Sequence, residues 1–344
     1  MNDKYNFAGY IVHLDNQYFC TINDYVVKML YKENPQECDL KNDDDNEKYL
    51  LGFDEGNNLF AVLAAKIEKN PFAYPVAYHF STPILIRGKG AVSDLSYFNG
   101  IEFYGETVNK AFNPRQAVER SNIDGKVDNI DLKFKSHFEF CKEFDIVINE
   151  QRAKIQYLVY RYVHLAEQKN EDGSISLGSL NSAVRIKFEQ QQPLESLRHY
   201  WLSFNNFLVF LAGRQNVDFG VKLLQQNGSD SFPHIADCFF RKRSSDIYDG
   251  KAHKTIQLDM LGDKFPELVM LFVSEKNSPF LRFLPENNDM ANRISDADVL
   301  NICTAFEIEF GLDESKDKNK IVQDMDISEF GTSMLAASAS LIQH

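Results

Sequence analysis

The stretch Pro193–Val217, PLESLRHYWLSFNNFLVFLAGRQNV, decides how this chain is read. Leu194, Leu197, Trp201, Phe204, Leu208 and Leu211 recur at steps of three and four. That spacing places all six on one face of a helix from Leu194 to Ala212, and Gly213 supplies a stop. So long an apolar face needs a surface to cover it, and the sequence before it is strand-like. Leu132, Phe134, Phe138 and Phe140 alternate with Lys133, Lys135, His137 and Glu139, the period of a sheet with one wet face. Phe144, Ile146 and Ile148 repeat the pattern, and Asn149-Glu150-Gln151 reads as a turn. Ile155, Tyr157, Val159, Tyr160, Tyr162 and Val163 then form a longer run, apolar on both sides. Ala183–Phe188 offers one more strand ahead of the helix.

Further out, Leu50–Phe53, Leu59–Ile67, Tyr78–Phe80, Ile84–Ile86 and Ile101–Tyr104 are short apolar runs separated by Gly, Pro and Asn, the pattern of a sandwich or open barrel. On the other side, Phe265–Val273 predicts a helix with Pro266 in its first turn. Ser295 and Asp298 have the spacing of a capping box, and Val299, Cys303, Phe306 and Phe310 then step by four, three and four as far as Gly311. The expected class is α+β, a mainly antiparallel β-sheet region followed by a helical and mixed region. The expected divisions are a β-rich domain over 1–190, the long helix with a mixed continuation over 191–294, and the start of a further helical region over 295–344.

Composition agrees. The 344 residues are 44% hydrophobic and 25% charged, as in globular proteins, and 28 Phe and 15 Tyr against one Trp favour sheet. A net charge of -13 opposes any role that consists of coating nucleic acid, because phosphate neutralisation needs Lys and Arg. The five cysteines include no CxxC pair, and Met1–Tyr10 does not read as a signal peptide, so free thiols in the cytoplasm are expected. No apolar run approaches the roughly 20 residues of a membrane span.

Motifs that carry chemistry are sparse. GxSxG, GxGxxG and GxxxxGK[ST] are absent from the sequence. Gly88-Lys89-Gly90 comes nearest to a phosphate loop, but no helix start follows it, and a turn is the better reading. Asp43, Asp45 and Glu47 sit two apart as in a calcium loop, without the glycine and glutamate such a loop requires. His234, Cys238 and His253 could be metal ligands if Pro233–Phe240 were helical, yet no second close pair supports them and a lone cysteine is a common core residue. Neither metal nor cofactor is therefore expected. Arg241, Lys242 and Arg243 form the one dense basic cluster, directly after Phe239-Phe240. They are the candidate binding residues, weighed against a solvated turn at the end of a buried strand. Arg198 and His199 read as the polar face of the long helix. Val299, Cys303, Phe306 and Phe310 are the candidate interface, an apolar stripe suited to a protein partner or to self-association.

Four segments, in order, resemble the ApeA family of bacterial abortive-infection proteins, in which a β-rich N-terminal domain precedes a HEPN helical domain. They are Tyr49–Ala65 (YLLGFDEGNNLFAVLAA), Val92–Tyr104 (VSDLSYFNGIEFY), Ile186–Val217 ending in FLAGRQNV, and Asp298–Phe310 (DVLNICTAFEIEF), the last similar to the opening HEPN helix with Glu307 at its acidic position. The resemblance implies a cytoplasmic sensing or interaction region that controls an RNase effector. The family's RNase site is an Arg, a polar residue and a His spaced by four to six residues. Here Arg161 and His164 are too close, and 295–344 is about half of the ~100 residues an independent helical domain needs. The expectation is accordingly a non-enzymatic region with a protein partner, nucleic acid being possible but not favoured. The alternatives are a hydrolase with an unrecognised site and a structural oligomerisation module.

Overall fold

The computed structural model describes residues 6–13, 16–30, 48–64, 68–69, 76–90, 92–122, 130–134, 142–162, 179–228, 231–241, 246, 249–250, 255–274, 279–293 and 295–309. The chain divides into two compact units, one of residues 1–202 with 219–245 and the other of 203–218 with 246–344.

The first unit carries the sheet. Its strands are β1 (Phe7–His13), β2 (Asn16–Asn23), β3 (Val26–Leu30), β4 (Lys48–Asp54), β5 (Leu59–Ala64), β6 (Glu68–Lys69), β7 (Val76–Ser81), β8 (Ile84–Gly88) and β9 (Tyr97–Tyr104), then β12 (Lys142–Ile148), β13 (Gln151–Tyr162), β14 (Ser179–Pro193), β15 (Gly220–Leu224) and β16 (His234–Phe240). A separate hairpin is made by β10 (Val118–Asn122) and β11 (Ile130–Phe134). The fourteen strands form one open order, β12-β13-β14-β9-β15-β16-β8-β5-β4-β1-β2-β3-β7-β6. Neighbours pair antiparallel throughout.

Alternation sets these strands. In β12, Ile146 and Ile148 are buried and Asp145 and Val147 exposed. A two-residue turn at Asn149 and Glu150, both with positive φ, returns the chain into β13, as primed hairpin turns do. Asp24 and Tyr25 make the matching turn between β2 and β3. The expected strands at 50–53, 59–67, 78–80, 84–86, 101–104, 144–148, 155–163 and 183–188 all fall on strands, except that 65–67 and Val163 lie outside the described residues. So do Phe138 and Phe140, and the acidic stretch Asn42–Glu47.

Two apolar layers anchor the unit. Ile11, Cys20, Val27, Met29, Phe60, Val62, Tyr78 and Leu85 belong to one buried cluster, with Phe239 packed against it. The other gathers around α1 (Glu106–Ala111) and the start of α2 (Leu197–Ala212). There Phe98 and Phe188 pack edge to face, and Tyr200 meets both. Trp201 stacks 4.5 Å from Phe240 and 6.2 Å from Phe219.

The long helix begins three residues later than expected, because Leu194–Ser196 form a 3-10 turn after Pro193. Gly213, at φ 63, ends it, and the Arg214 N–H reaches the Val209 carbonyl, a Schellman closure. Phe204 and Leu208 are sealed as the spacing predicts, whereas Trp201 is only half-buried.

The second unit is helical, with α3 (Leu258–Leu261), α4 (Phe265–Ser274), α5 (Asn288–Ala291) and α6 (Asp296–Glu309). Phe207 meets Phe265 and Phe272, and Phe210 meets Phe272 and Phe280. The capping box before α6 forms as predicted: Asp298 Oδ2 accepts from the Ser295 N–H at 2.9 Å, and Ser295 Oγ accepts from the Asp298 N–H at 3.3 Å. Arg214, Asn216, Asn288, Asp246 and Asp249 make a polar knot centred on Asn288 Oδ1, which accepts from Arg214 and Asn216 at 3.0 Å each.

Phe207 is wholly buried among rings, so Phe207→Ala is expected to cost about 3–5 kcal/mol. Half-buried Trp201 should cost clearly less on truncation to Ala. Urea unfolding followed by circular dichroism measures both.

Candidate functional site

The register of the first unit brings Glu143, Gln156, Arg185, Glu102, Lys222, Asp237 and Arg87 opposite one another, one per strand from β12 to β8. Directly opposed residues of antiparallel strands share a face. The row therefore crosses seven strands on one face, and from Arg185 onward its charges alternate in sign. At its centre, Glu102 is 3% exposed. Its carboxylate accepts from Arg185 Nη2 at 2.7 Å, from Lys222 Nζ at 3.1 Å and from the Tyr160 hydroxyl. Arg185 also donates to the Tyr160 oxygen. Lys222 lies over the Tyr104 ring, 4.3 Å from its centre.

Burial alone would raise the Glu102 carboxyl. The hydrogen bonds from Tyr160 and Arg185, with the charges of Arg185 and Lys222, outweigh it and hold the group below the usual carboxylate range. Burial beside Glu102 pushes the Tyr160 phenol far up.

The flanks follow the same rule. Glu143 binds Lys154 Nζ at 2.7 Å and accepts from Gln156. Asp54 takes Arg87 Nη2 at 2.7 Å and the N–H groups of Gly56 and Asn58 at 2.9 Å, fixing the β4–β5 turn. The Arg87 guanidinium lies over the Phe7 ring. Asp237 has His234 Nε2 at 3.1 Å and Lys89 Nζ at 3.5 Å, and Lys89 Nζ is 3.0 Å from His234 Nδ1. An ammonium only donates, so Nδ1 accepts from Lys89. For Asp54 and Asp237 burial again opposes ionisation, and the surrounding donors and cations prevail, so both are held low. Glu102, Asp54 and Glu143 accept hydrogen bonds, Asp237 lies beside Lys89 and His234, and all four are held low.

A second feature lies on the other face of the sheet, where Leu63 alternates with Phe60 and Val62. Tyr49, Leu63, Glu195, Arg198, His199 and Leu202 line a cavity of about 330 Å³.

The structure places the sequence candidates as follows. Arg241 is exposed at the end of β16, with its N–H on the Pro83 carbonyl. Lys242 and Arg243 lie outside the described residues. The aromatics before them are engaged, Phe239 against the buried cluster and Phe240 on Trp201. Gly88-Lys89-Gly90 closes β8 as a turn, with the Lys89 N–H on the Ile235 carbonyl. His234–Phe240 form a strand, so the helix that metal binding would have required is not there. Four residues of strand separate His234 from Cys238 by about 13 Å, beyond chelation, and the strand is the one expected to lead into the basic cluster. His253 is outside the described residues. In α6, Val299 is half-buried and Cys303 exposed; the Phe306 side chain and Phe310 lie outside the described residues. Lys89 and His234, singled out separately in the sequence, meet.

Glu102, Arg185, Lys222 and Asp237 were missed. Their signal was present, a single charge inside an apolar run in each of GIEFY, GVKLL and IADCFF, and two charges in AVRIKF.

No protein-family model and no solved structure matches the chain. Among curated proteins it is similar in part to the aspartate–tRNA ligase of Mesoplasma florum, at 27% identity over 157 residues, which cover 42% of this chain and 26% of that enzyme. The chain thus spans about a quarter of that relative's length.

Removing the central charge should be costly. Glu102→Gln leaves two half-buried cations without their anion, and a loss of about 3–5 kcal/mol is expected in denaturant unfolding. A carboxylate held below its unfolded value stabilises the fold above about pH 4, and that contribution disappears as the pH falls through the folded value. The wild type should therefore lose stability on acidification more steeply than Glu102→Gln.

Proposed function

We propose that this chain is a recognition and regulatory region of a bacterial anti-phage system, ApeA-like in kind, that acts in the cytoplasm by binding and controls a HEPN RNase effector without itself catalysing a reaction. The observation that carries the reading is the state of the carboxylates in and beside the charged row. Glu102, Asp54 and Glu143 each have a cation at 2.7 Å, Asp237 has Lys89 at 3.5 Å, and all four are held below the usual carboxylate range. General acid–base work needs a carboxyl near its operating pH, free to exchange a proton with substrate. These are fixed as framework, and a wide antiparallel sheet braced in this way suits a rigid binding surface.

The partner in this reading is a protein, met through α6, where Leu300 is 66% exposed and Cys303 is exposed. Phe306→Ser with Phe310→Ser is expected to lower self-association in light scattering while leaving the circular dichroism unchanged. Loss of the folded signal instead would make the stripe internal core.

Purified chain incubated with tRNA and with single-stranded RNA, with and without divalent metal, is expected to leave both intact. Specific cleavage that survives repurification and is lost in His199→Ala or His234→Ala would overturn the non-enzymatic reading.

A further inference from the structure

The sequence contains two Asn-Gly pairs, Asn99-Gly100 and Asn227-Gly228, and the fold treats them differently. In such a pair the backbone nitrogen of the glycine reaches the preceding side chain with least hindrance, because glycine has no Cβ to shield it. Asn99 is 5% exposed, and its Oδ1 accepts from the Gln226 N–H at 3.3 Å. Gly100 stands in β9 between Lys187 of β14 and Leu224 of β15, with the Ile186 carbonyl oxygen 2.9 Å from where a Cβ would lie. Swinging the Gly100 nitrogen against the Asn99 side chain would break the ladder on both sides. Asn227 and Gly228 are both exposed, in the connection between β15 and β16. The Asn227 N–H donates to the Ser231 carbonyl at 2.9 Å and so closes a short loop. Gly228 follows at φ 74, and among the described residues nothing lies within 4 Å of where its Cβ would be.

We propose that Asn227 is a site of spontaneous deamidation, a self-modification that needs only water, and that its strand protects Asn99 from the same reaction. The site stands apart from the anti-phage reading and survives its failure. The Gly228 nitrogen gives up its proton to hydroxide and bonds to the side-chain carbonyl carbon of Asn227. The bond from that carbon to the amide nitrogen breaks, the nitrogen takes a proton from water and leaves as ammonia, and a five-membered succinimide remains. Water then adds at one or other ring carbonyl and opens the ring, giving aspartate or isoaspartate. Neither step is an oxidation. Either product adds negative charge to a chain already at -13, on the connection between the strands that supply Lys222 and Asp237 to the charged row. Isoaspartate also lengthens the loop backbone by one carbon. The ladder pairs of β15 and β16 end at Leu224 and His234, so the change falls outside them and the register survives it.

Peptide mapping by mass spectrometry, on the full chain held for days at mildly alkaline pH, tests this. The Asn227 peptide is expected to gain one mass unit and to split into two products, faster as the pH rises, while the Asn99 peptide stays unchanged. In denaturant both should convert, within a few-fold of each other, because only the fold distinguishes them. Gly228→Ala should slow conversion of Asn227 about tenfold or more, since a methyl group then shields the attacking nitrogen. The position is exposed and open, so the circular dichroism of that variant should match the wild type. Asn227 that stays intact in the native chain while converting in denaturant would overturn the proposal. So would equal conversion of Asn99 and Asn227 in the native chain, which would place the reaction in unfolded molecules, and so would a Gly228→Ala rate equal to that of the wild type.

Discussion

Seven adjacent strands of one sheet each contribute a residue to a single cross-strand row, and the central member, Glu102, is almost fully buried with two cations and a phenol on its carboxylate. A shift of any one strand by a single residue would turn its member of the row to the opposite face, into the apolar layer that contains Phe103, Ile186 and Val221. The cost is an unpaired charge in each layer. Apolar residues alone specify which face is buried. The charges specify which residue stands beside which. Beyond Arg87 the row continues into Phe60, whose ring lies over Gly52, where a Cβ would fall 2.5 Å from it. There, close packing against a glycine takes over the role of charge in fixing the register.

Much of the fold could be read from the sequence, and the exceptions share a cause. Strands such as β12, with one buried and one wet face, announce themselves by alternation. β15 and β16 have few polar residues on either face, so no period shows, and β16 was read only as the buried strand before Arg241 or as the helix that metal binding would need. β1 to β3 were not identified either, although Ile11, Cys20, Ile22 and Val27 are core residues. The long helix was legible because its steps of three and four run unbroken. Its first turn was not, because Pro193 and the 3-10 geometry after it leave no trace in periodicity.

The charged row was legible only in fragments. A lone Glu in GIEFY or a lone Lys in GVKLL marks a strand that needs a partner, yet the partners of Glu102 lie 58, 83 and 120 residues away in the chain. Register, a property of the folded sheet, is what joins them. The same holds for the cavity. Arg198 and His199 look like an ordinary polar helix face until β4 and β5 bring Tyr49 and Leu63 opposite. Conversely, the most conspicuous cluster in the sequence, Arg241 with its neighbours, follows aromatics already committed to packing.

The central claim is that paired charge holds the strands in register, and a double-mutant cycle on Glu102 and Arg185 tests it most directly. Glu102→Gln, Arg185→Met and the double variant would be compared with the wild type by denaturant unfolding at neutral pH. If the pair acts as a unit, the double variant should be much less damaged than the sum of the two single changes, with a coupling energy of about 1.5–3 kcal/mol. Additive losses, with coupling below about 0.5 kcal/mol, would contradict the account and leave the register to apolar packing alone.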